Sequence, residues 1–214
     1  MALSFYRVPC RGMVSLVALD SPRPGHGVRV LADDEDLVPR VGASAPLIVT
    51  AELPAPLQTR VEALRRAHYP AERNHLAAHV TLFHALPPFV EGEARGLLAA
   101  IAAETPPPPA SLIAVMDLGT GTALRIESAA MLAVRASIAE RFHGLLTQQD
   151  QHAPRLHVTV QNKVPRAEAK GLQAVLAADF RTQSFTFAGL ALHRYMGGPW
   201  ELVGRWTFRG RGRR

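Results

Sequence analysis

The chain has 214 residues, 48% of them hydrophobic and 20% charged, so it is long enough to bury a sizeable core as one large domain or two fused lobes. Its net charge of +6 favours polyanionic partners, nucleic acid above all, although it also fits plain solubility. The single cysteine, Cys10, excludes an intramolecular disulfide and argues against a cysteine-based metal site. No apolar run reaches the length of a membrane span, and we expect a cytoplasmic protein without a membrane partner.

The first residues differ in composition from the rest of the chain. The stretches DSPRPGHG and ADDEDLVPRVGAS mix turn formers with charge and show no sustained period. They predict a poorly ordered N-terminal leader over residues 1–45, with a short strand around Val28–Leu31. We expect a single bilobal domain over residues 46–210 and a basic tail at 211–214.

Periodic segments follow from Pro46 onward and repeat in the same order. Apolar stripes predict helices that start at Leu57 and Met131, and each helix precedes a histidine-containing strand, HVTL or HVTV. A second helix, a strand, a glycine-rich turn and another strand follow each time. In chain order, the predicted elements after each histidine strand are 93–104, 111–118 and 119–127 in the first half, and 168–179, 184–192 and 197–206 in the second.

This recurrence predicts an internal duplication. The helical segments EARGLLAAIAAE and EAKGLQAVLAAD begin 168 − 93 = 75 residues apart, and the tetrapeptides HVTL and HVTV begin 157 − 79 = 78 residues apart. We expect repeats at about 46–128 and 129–210 that pack about a pseudo-twofold axis. The predicted fold class is α+β (α/β-like), with two antiparallel-rich sheets around a central cleft and the helices outside.

The two tetrapeptides have the same polar pattern. Alternate side chains of a strand share a face, so each histidine lies beside the threonine two residues later. Twofold packing would therefore bring two histidines and two threonines around one point. The predicted cleft faces hold His79, Thr81 and Phe83 in the first copy and His157, Thr159, Gln161 and Lys163 in the second.

Two imidazoles on opposite sides of one atom suit in-line displacement at phosphorus. A neutral histidine takes a proton from the attacking oxygen, and a protonated one gives a proton to the leaving oxygen. Both states are accessible near neutral pH because the unperturbed pKa of histidine is about 6.5. The threonine hydroxyls can donate hydrogen bonds to the non-bridging phosphate oxygens. The sequence lacks the carboxylate clusters of a two-metal phosphodiesterase, so we expect neither a metal nor another cofactor.

Paired H-x-T motifs in a duplicated chain of this size resemble the 2H phosphoesterase superfamily, in particular its 2′-5′ RNA ligase and cyclic phosphodiesterase branch. The resemblance runs from about Pro46 to Gly210 and includes HVTVQNKV and LHRYMGGPWELVGRWTF. It implies a bilobal fold that opens 2′,3′-cyclic phosphates on RNA ends or nucleotides, with 2′-5′ ligation as the reverse reaction in some members. It also implies that His79 and His157 are catalytic and that Thr81 and Thr159 bind phosphate. Family usage leans towards His157 as the base and His79 as the acid.

Other residues are weaker candidates for the site. Phe83, Gln161, Lys163 and Tyr195 are candidate substrate contacts, and Tyr195 flanks the MGGP turn together with Trp200, which is as well explained by ordinary packing. Three further histidines suggest a metal site: His75, His84 and His152. The spacing of His75 and His79 suits metal binding on a helix, but here a loop leads into a strand, which argues against a metal. Cationic candidates for phosphate are Arg155, Arg194 and the arginines from Arg205 to Arg214.

Three functions remain open from the sequence. The first is a metal-independent phosphodiesterase, expected as a monomer, that acts on RNA ends or a small cyclic nucleotide. The second is a module that binds RNA ends or phosphate without turnover. The third is a hydrolase of another small cyclic phosphoester, such as a cyclic phosphate on ADP-ribose.

Overall fold

The computed structural model describes residues 45–211. The predicted leader, its short strand around Val28–Leu31 and the basic tail lie outside the described residues, apart from Ala45 and Arg211. Within the described part of the chain, no helix is long and apolar enough to cross a membrane.

Four α-helices and eight strands form the described domain, an α+β fold as predicted. The helices are α1 (Ala55–His68), α2 (Glu91–Glu104), α3 (Ala129–Arg141) and α4 (Arg166–Ala178). The strands are β1 (Leu47–Glu52), β2 (Val80–Leu86), β3 (Pro109–Asp117), β4 (Gly121–Glu127), β5 (His157–Asn162), β6 (Gln183–Thr186), β7 (Gly189–Tyr195) and β8 (Trp200–Thr207). The predicted helices are confirmed at these positions, and the helix predicted to start at Met131 begins two residues earlier, at Ala129.

Local chemistry explains where these helices begin. Pro56 occupies the first turn of α1, where its missing N–H group costs no hydrogen bond. The Ser128 hydroxyl caps α3 by accepting a hydrogen bond from the backbone N–H of Met131 at 3.0 Å. One face of each helix is buried, and the buried residues of all four helices include Leu57, Val61, Leu98, Ile138 and Leu172.

The strands form two antiparallel four-stranded sheets, with the orders β2-β1-β7-β8 and β5-β4-β3-β6. Each sheet takes two strands from residues 46–128 and two from 129–210. The repeat boundaries remain a prediction, but the strands of the two segments interleave, so neither sheet is built from one segment alone. A single apolar core, including Phe83, Phe142 and Phe187, connects elements of both sheets.

The predicted strand at 184–192 is wrong as one element. It is two strands in different sheets, since β6 pairs with β3 and β7 pairs with β1. Between them, Phe187 donates its backbone N–H to Pro108 and Ala188 donates its own to Glu52. The run alternates between polar and apolar residues in SFTF and is apolar in LAL, and both patterns are typical of strands, so the sequence contains no signal for the crossing.

Candidate active site

The two H-x-T motifs lie on the edge strands of the two sheets. His79 directly precedes β2, and His157 is the first residue of β5. Strands β2 and β5 lie against each other, and α1, the helix before the first motif, packs on the strand of the second. The packing of the two edge strands therefore brings the two motifs together.

Both histidines are anchored to the backbone in the same way. The Nδ1 atom of His79 lies 2.8 Å from the carbonyl oxygen of Ala77, and that of His157 lies 2.8 Å from the carbonyl oxygen of Arg155. A carbonyl only accepts hydrogen bonds, so Nδ1 carries the proton in both rings. The Nε2 atom is therefore the nitrogen left to exchange a proton with a ligand.

Three of the four motif side chains line two cavities, and Thr159 lines neither. His79 lines a cavity of about 470 Å³, whereas Thr81 and His157 line a neighbouring cavity of about 320 Å³. Thr159 is partly exposed, as is Thr81. Thr81 and His157, one residue from each copy, thus line the same cavity.

A β-bulge follows the threonine in each motif and alters the predicted faces. Thr50 pairs with Thr81 and Val49 with Phe83, which leaves Leu82 without an opposite residue. In the second copy, Ala123 pairs with Thr159 and Thr122 with Gln161, which leaves Val160 without one. One extra residue reverses the alternation of side chains beyond it.

The predicted positions of Phe83 and Gln161 on the cleft face are therefore wrong. Phe83 is fully buried, and Arg135 stacks on its ring with 4.6 Å from the guanidinium carbon to the ring centroid. Gln161 is also buried, where its amide donates to Glu168 at 3.0 Å. Neither side chain is accessible to a substrate.

Lys163 and Tyr195 are both exposed at the ends of strands. Lys163 follows β5 in a left-handed conformation, with φ of 58°. Tyr195 ends β7 and is 41% exposed. Arg194 forms ion pairs with Glu91 and Glu201, so its charge is already matched within the protein. None of these three side chains lines the cavities beside the histidines.

Trp200 packs against His79 and also contacts His193. The ring centroids of His79 and Trp200 are 4.7 Å apart, and those of Trp200 and His193 are 5.5 Å apart. Burial lowers the pKa of His79 to about 4, although the hydrogen bond to Ala77 opposes the shift, and Arg65, His193 and His157 lower the pKa further. Free His79 is therefore neutral at pH 7.

Two buried arginines, which the sequence did not single out, connect the motif strands. Arg65 on α1 donates to the carbonyl oxygens of Thr159 and Leu76, both at 2.9 Å. Arg135 on α3 donates to the carbonyl oxygen of Leu82 at 3.3 Å and to that of Asp150. Each arginine thus joins one motif strand to the loop that precedes the other motif. The only sequence signal was an arginine within an otherwise apolar helix stripe.

Of the histidines considered for a metal, His84 and His152 line the cavity beside His157, whereas His75 does not. His75 is exposed on the loop before the first motif, and His84 bonds to Asp150. Among residues 45–211, no group of three or more His, Cys, Asp or Glu side chains is arranged to hold a metal ion.

Comparisons with known proteins identify the family and the fold. The family model of the 2′-5′ RNA ligase superfamily matches residues 53–199. The crystal structure of TT0787 of Thermus thermophilus is similar, with a TM-score of 0.54 and 16% identity, over 78% of this chain and 100% of that chain. The structure of Escherichia coli LigT complexed with NADP⁺ has a TM-score of 0.50 and 16% identity, over 78% of this chain and 99% of that chain.

Among curated protein sequences, none matches this chain. At 16% identity the two solved structures show the fold alone, and the family rests on the match to residues 53–199, which includes both H-x-T motifs. The chain belongs to the 2′-5′ RNA ligase superfamily, a membership that supports phosphoesterase activity.

Proposed function

We propose that the protein is a metal-independent phosphodiesterase that opens 2′,3′-cyclic phosphates on RNA ends or nucleotides. The observation that carries the proposal is the matched anchoring of His79 and His157. Each Nδ1 atom is held 2.8 Å from a carbonyl oxygen, so two Nε2 atoms on adjacent edge strands are available for proton transfer. Paired acid and base catalysis requires such an arrangement on either side of the phosphorus atom.

The reaction is a hydrolysis by in-line displacement. One histidine accepts a proton from water as the water oxygen bonds to phosphorus, and the other protonates the ribose oxygen as its bond to phosphorus breaks. Thr81 and Thr159 donate hydrogen bonds to the non-bridging oxygens, on which negative charge accumulates. The product is a ribose with one free hydroxyl and one phosphomonoester.

The surroundings of the two histidines support different roles. Burial keeps His79 neutral in the free protein, because its pKa is lowered to about 4. A neutral imidazole accepts a proton, so we assign His79 as the base and His157 as the acid in ring opening. This assignment is the reverse of the one towards which family usage leans.

Aromatic side chains beside the motif support a nucleotide as the substrate. Trp200 and His193 line the 470 Å³ cavity together with His79. Base–aromatic stacking contributes about 1–3 kcal/mol per base in proteins that bind single-stranded nucleic acid. LigT, which shares the fold, has been crystallised with NADP⁺, another nucleotide.

The test is hydrolysis of adenosine 2′,3′-cyclic phosphate and of a short RNA with a cyclic phosphate end, in the presence of EDTA. Wild type is compared with His79→Ala, His157→Ala and, as a matched control, the exposed His143→Ala. We expect turnover by wild type and the control, and a loss of at least about 100-fold in each motif variant.

Binding without turnover by wild type would instead identify a phosphate-binding module. Turnover of a cyclic phosphate on ADP-ribose, but not of either RNA substrate, would identify a hydrolase of another small phosphoester. Loss of activity in EDTA that returns with a divalent metal would contradict the metal-independent mechanism.

A further inference from the structure

The 320 Å³ cavity beside His157 is also lined by two histidines that the proposed mechanism does not use, His84 and His152. His84 lies on β2, three residues after Thr81 and beyond the bulge at Leu82. Its side chain is 45% exposed. Thr81 and His84 line this cavity together, so a ligand held at Thr81 extends towards His84.

A buried carboxylate holds the His84 ring in place. The Nδ1 atom of His84 lies 2.9 Å from Asp150, whose side chain is 2% exposed. The same carboxylate accepts hydrogen bonds from the backbone N–H groups of His84 and Ala85 and from the Thr147 hydroxyl. Burial raises the pKa of Asp150, but the hydrogen bonds from the His84 ring and from the backbone N–H groups of His84 and Ala85 hold it below its usual value.

The oxygens of the Asp150 carboxylate therefore already accept hydrogen bonds, whereas one nitrogen of the His84 ring is unused. The Nε2 atom of His84 has no hydrogen bond to the residues of the described domain. A fixed imidazole with one free nitrogen at a cavity wall is arranged to bind a ligand group, because its rotamer is already restricted before binding.

The charges around this cavity favour an anion. Its lining carries two guanidinium groups and three imidazoles against one carboxylate: Arg135, Arg155, His84, His152, His157 and Asp150. A phosphate between these groups would hold His84 as an imidazolium, which donates Nδ1–H to Asp150 and Nε2–H to a phosphate oxygen.

We propose that this cavity binds a second phosphate of the substrate, with His84 as its principal ligand. The proposal rests on the proposed function and narrows it, since the preferred substrate becomes a nucleoside 2′,3′-cyclic phosphate that also carries a 5′-phosphate. Thr81 and His84 are three residues apart, but the bulge at Leu82 shortens their separation to about two residue lengths of the partner strand, roughly 7 Å at about 3.3 Å per residue. Side chains at that spacing can reach the two ends of one nucleoside.

The test compares substrates that differ by one phosphate. Values of kcat/KM are measured for adenosine 2′,3′-cyclic phosphate with a 5′-hydroxyl, with a 5′-phosphate, and with a 5′-linked second nucleotide. We expect wild type to prefer the phosphorylated forms at least about tenfold, a gain typical of one charge-assisted hydrogen bond. A preference for the 5′-phosphomonoester alone identifies nucleotides as substrates, whereas a preference for both forms includes RNA ends.

Two substitutions of His84 distinguish the role of Nε2, which is free to bind a ligand, from that of Nδ1, which bonds to Asp150. His84→Asn places an amide nitrogen near the position of Nδ1 and removes Nε2, so the preference ratio should fall to near one, whatever the absolute rate. His84→Gln places a donor near the position of Nε2 and should keep part of the ratio. His143→Asn, an exposed histidine outside the cavity, should keep all of it.

A wild-type ratio near one, or an undiminished ratio in His84→Asn, would overturn the proposal. If none of the substrates is turned over, the proposed function fails but the phosphate site is still tested. Calorimetric titration then compares adenosine 3′-phosphate with adenosine 3′,5′-bisphosphate. Tighter binding of the bisphosphate that disappears in His84→Asn supports the site, and equal binding of the two ligands overturns it.

Discussion

The two candidate catalytic residues, His79 and His157, make the same kind of hydrogen bond to the backbone but have different surroundings. His79 packs against Trp200 and lies near His193. Burial lowers the pKa of His193 as well. His157 faces a cavity lined by Arg155 and His152. A histidine among aromatic rings is stabilised as the neutral base, so the motifs are equivalent in sequence but not in chemistry.

The assigned roles predict different responses to the leaving group. A nucleoside p-nitrophenyl phosphodiester releases a phenolate that needs no proton, so removal of the acid costs little with this substrate. We expect His157→Ala to recover most of its activity on the p-nitrophenyl ester relative to the cyclic phosphate. His79→Ala should remain inactive on both, because water still has to be deprotonated.

Kinetic assays of both variants on both substrates measure this difference directly. Recovery in His79→Ala and not in His157→Ala would reverse the assignment and restore the roles that family usage favours. Equal losses on both substrates in both variants would contradict a separate acid and base.

The low pKa of His79 also predicts how stability changes with pH. The unfolded chain binds a proton at about pH 6.5, whereas the folded protein does so only at about pH 4. Between these values the unfolded state holds more protons, so the free energy of unfolding falls as the pH falls. At pH 4.5 this contribution is about 2 kcal/mol, at about 1.4 kcal/mol per pKa unit.

Urea denaturation at pH 7 and pH 4.5 measures the change. His79→Gln removes the titrating group, so we expect it to lose about 2 kcal/mol less than wild type between the two pH values. The exposed His143→Gln should lose as much as wild type. An equal loss in wild type and His79→Gln would show that His79 is not desolvated.

At the scale of elements, the bulges show what sequence patterns reach and what they miss. Strict alternation along HVTLF and HVTVQ predicted the histidine and threonine positions, because these residues precede the bulge. It failed for Phe83 and Gln161, which follow the bulge. Two successive residues are buried at each bulge, Leu82 with Phe83 and Val160 with Gln161. The same residue types also occur in regular strands, so the sequence alone does not indicate a bulge.

The helices were easier to predict than the pairing of the strands. Apolar stripes locate α1 to α4 because burial of one helix face depends on residues close in sequence. The partner of a strand depends on residues far along the chain, and the 184–192 run gave no sign of entering two sheets. Arg65 and Arg135 were missed for the same reason, since each donates to a carbonyl oxygen on the motif strand of the opposite copy.

The two buried arginines predict a loss of activity without contact to substrate. Arg65→Met and Arg135→Met keep much of the length of the side chain but leave the carbonyl oxygens of Thr159 and Leu82 without their donors. Each substitution should lower the stability by about 2 kcal/mol or more and reduce kcat at least about tenfold, because both motif strands shift.

Arg66→Met on the exposed side of α1 is the matched control and should have little effect. Thermal unfolding and hydrogen exchange at β2 and β5 show whether the strands loosen. If kcat is unchanged while stability falls, the arginines support the fold without positioning the motifs.

At the scale of the whole domain, each sheet combines strands from both repeats, so the two repeats have to fold together. Residues 129–210 contain β5 and β6, the two outer strands of one sheet, but their partners β4 and β3 lie in residues 46–128. Residues 46–128 likewise contain β1 without its neighbour β7. A duplicated sequence suggests two units that each fold alone, whereas the strand order requires both segments at once.

We therefore expect that neither segment folds when it is expressed alone. Each should lack a cooperative thermal transition, because inner strands that lose one of their two partners leave backbone N–H and C=O groups and apolar faces exposed. A mixture of the two segments should recover the transition and the hydrolytic activity, since together they supply every strand of both sheets. Circular dichroism and calorimetry of each segment, of the mixture and of the full chain measure this. A cooperative transition in either isolated segment would mean that its strands can pair within one repeat, and the interleaved order would then be a rearrangement of two independent lobes.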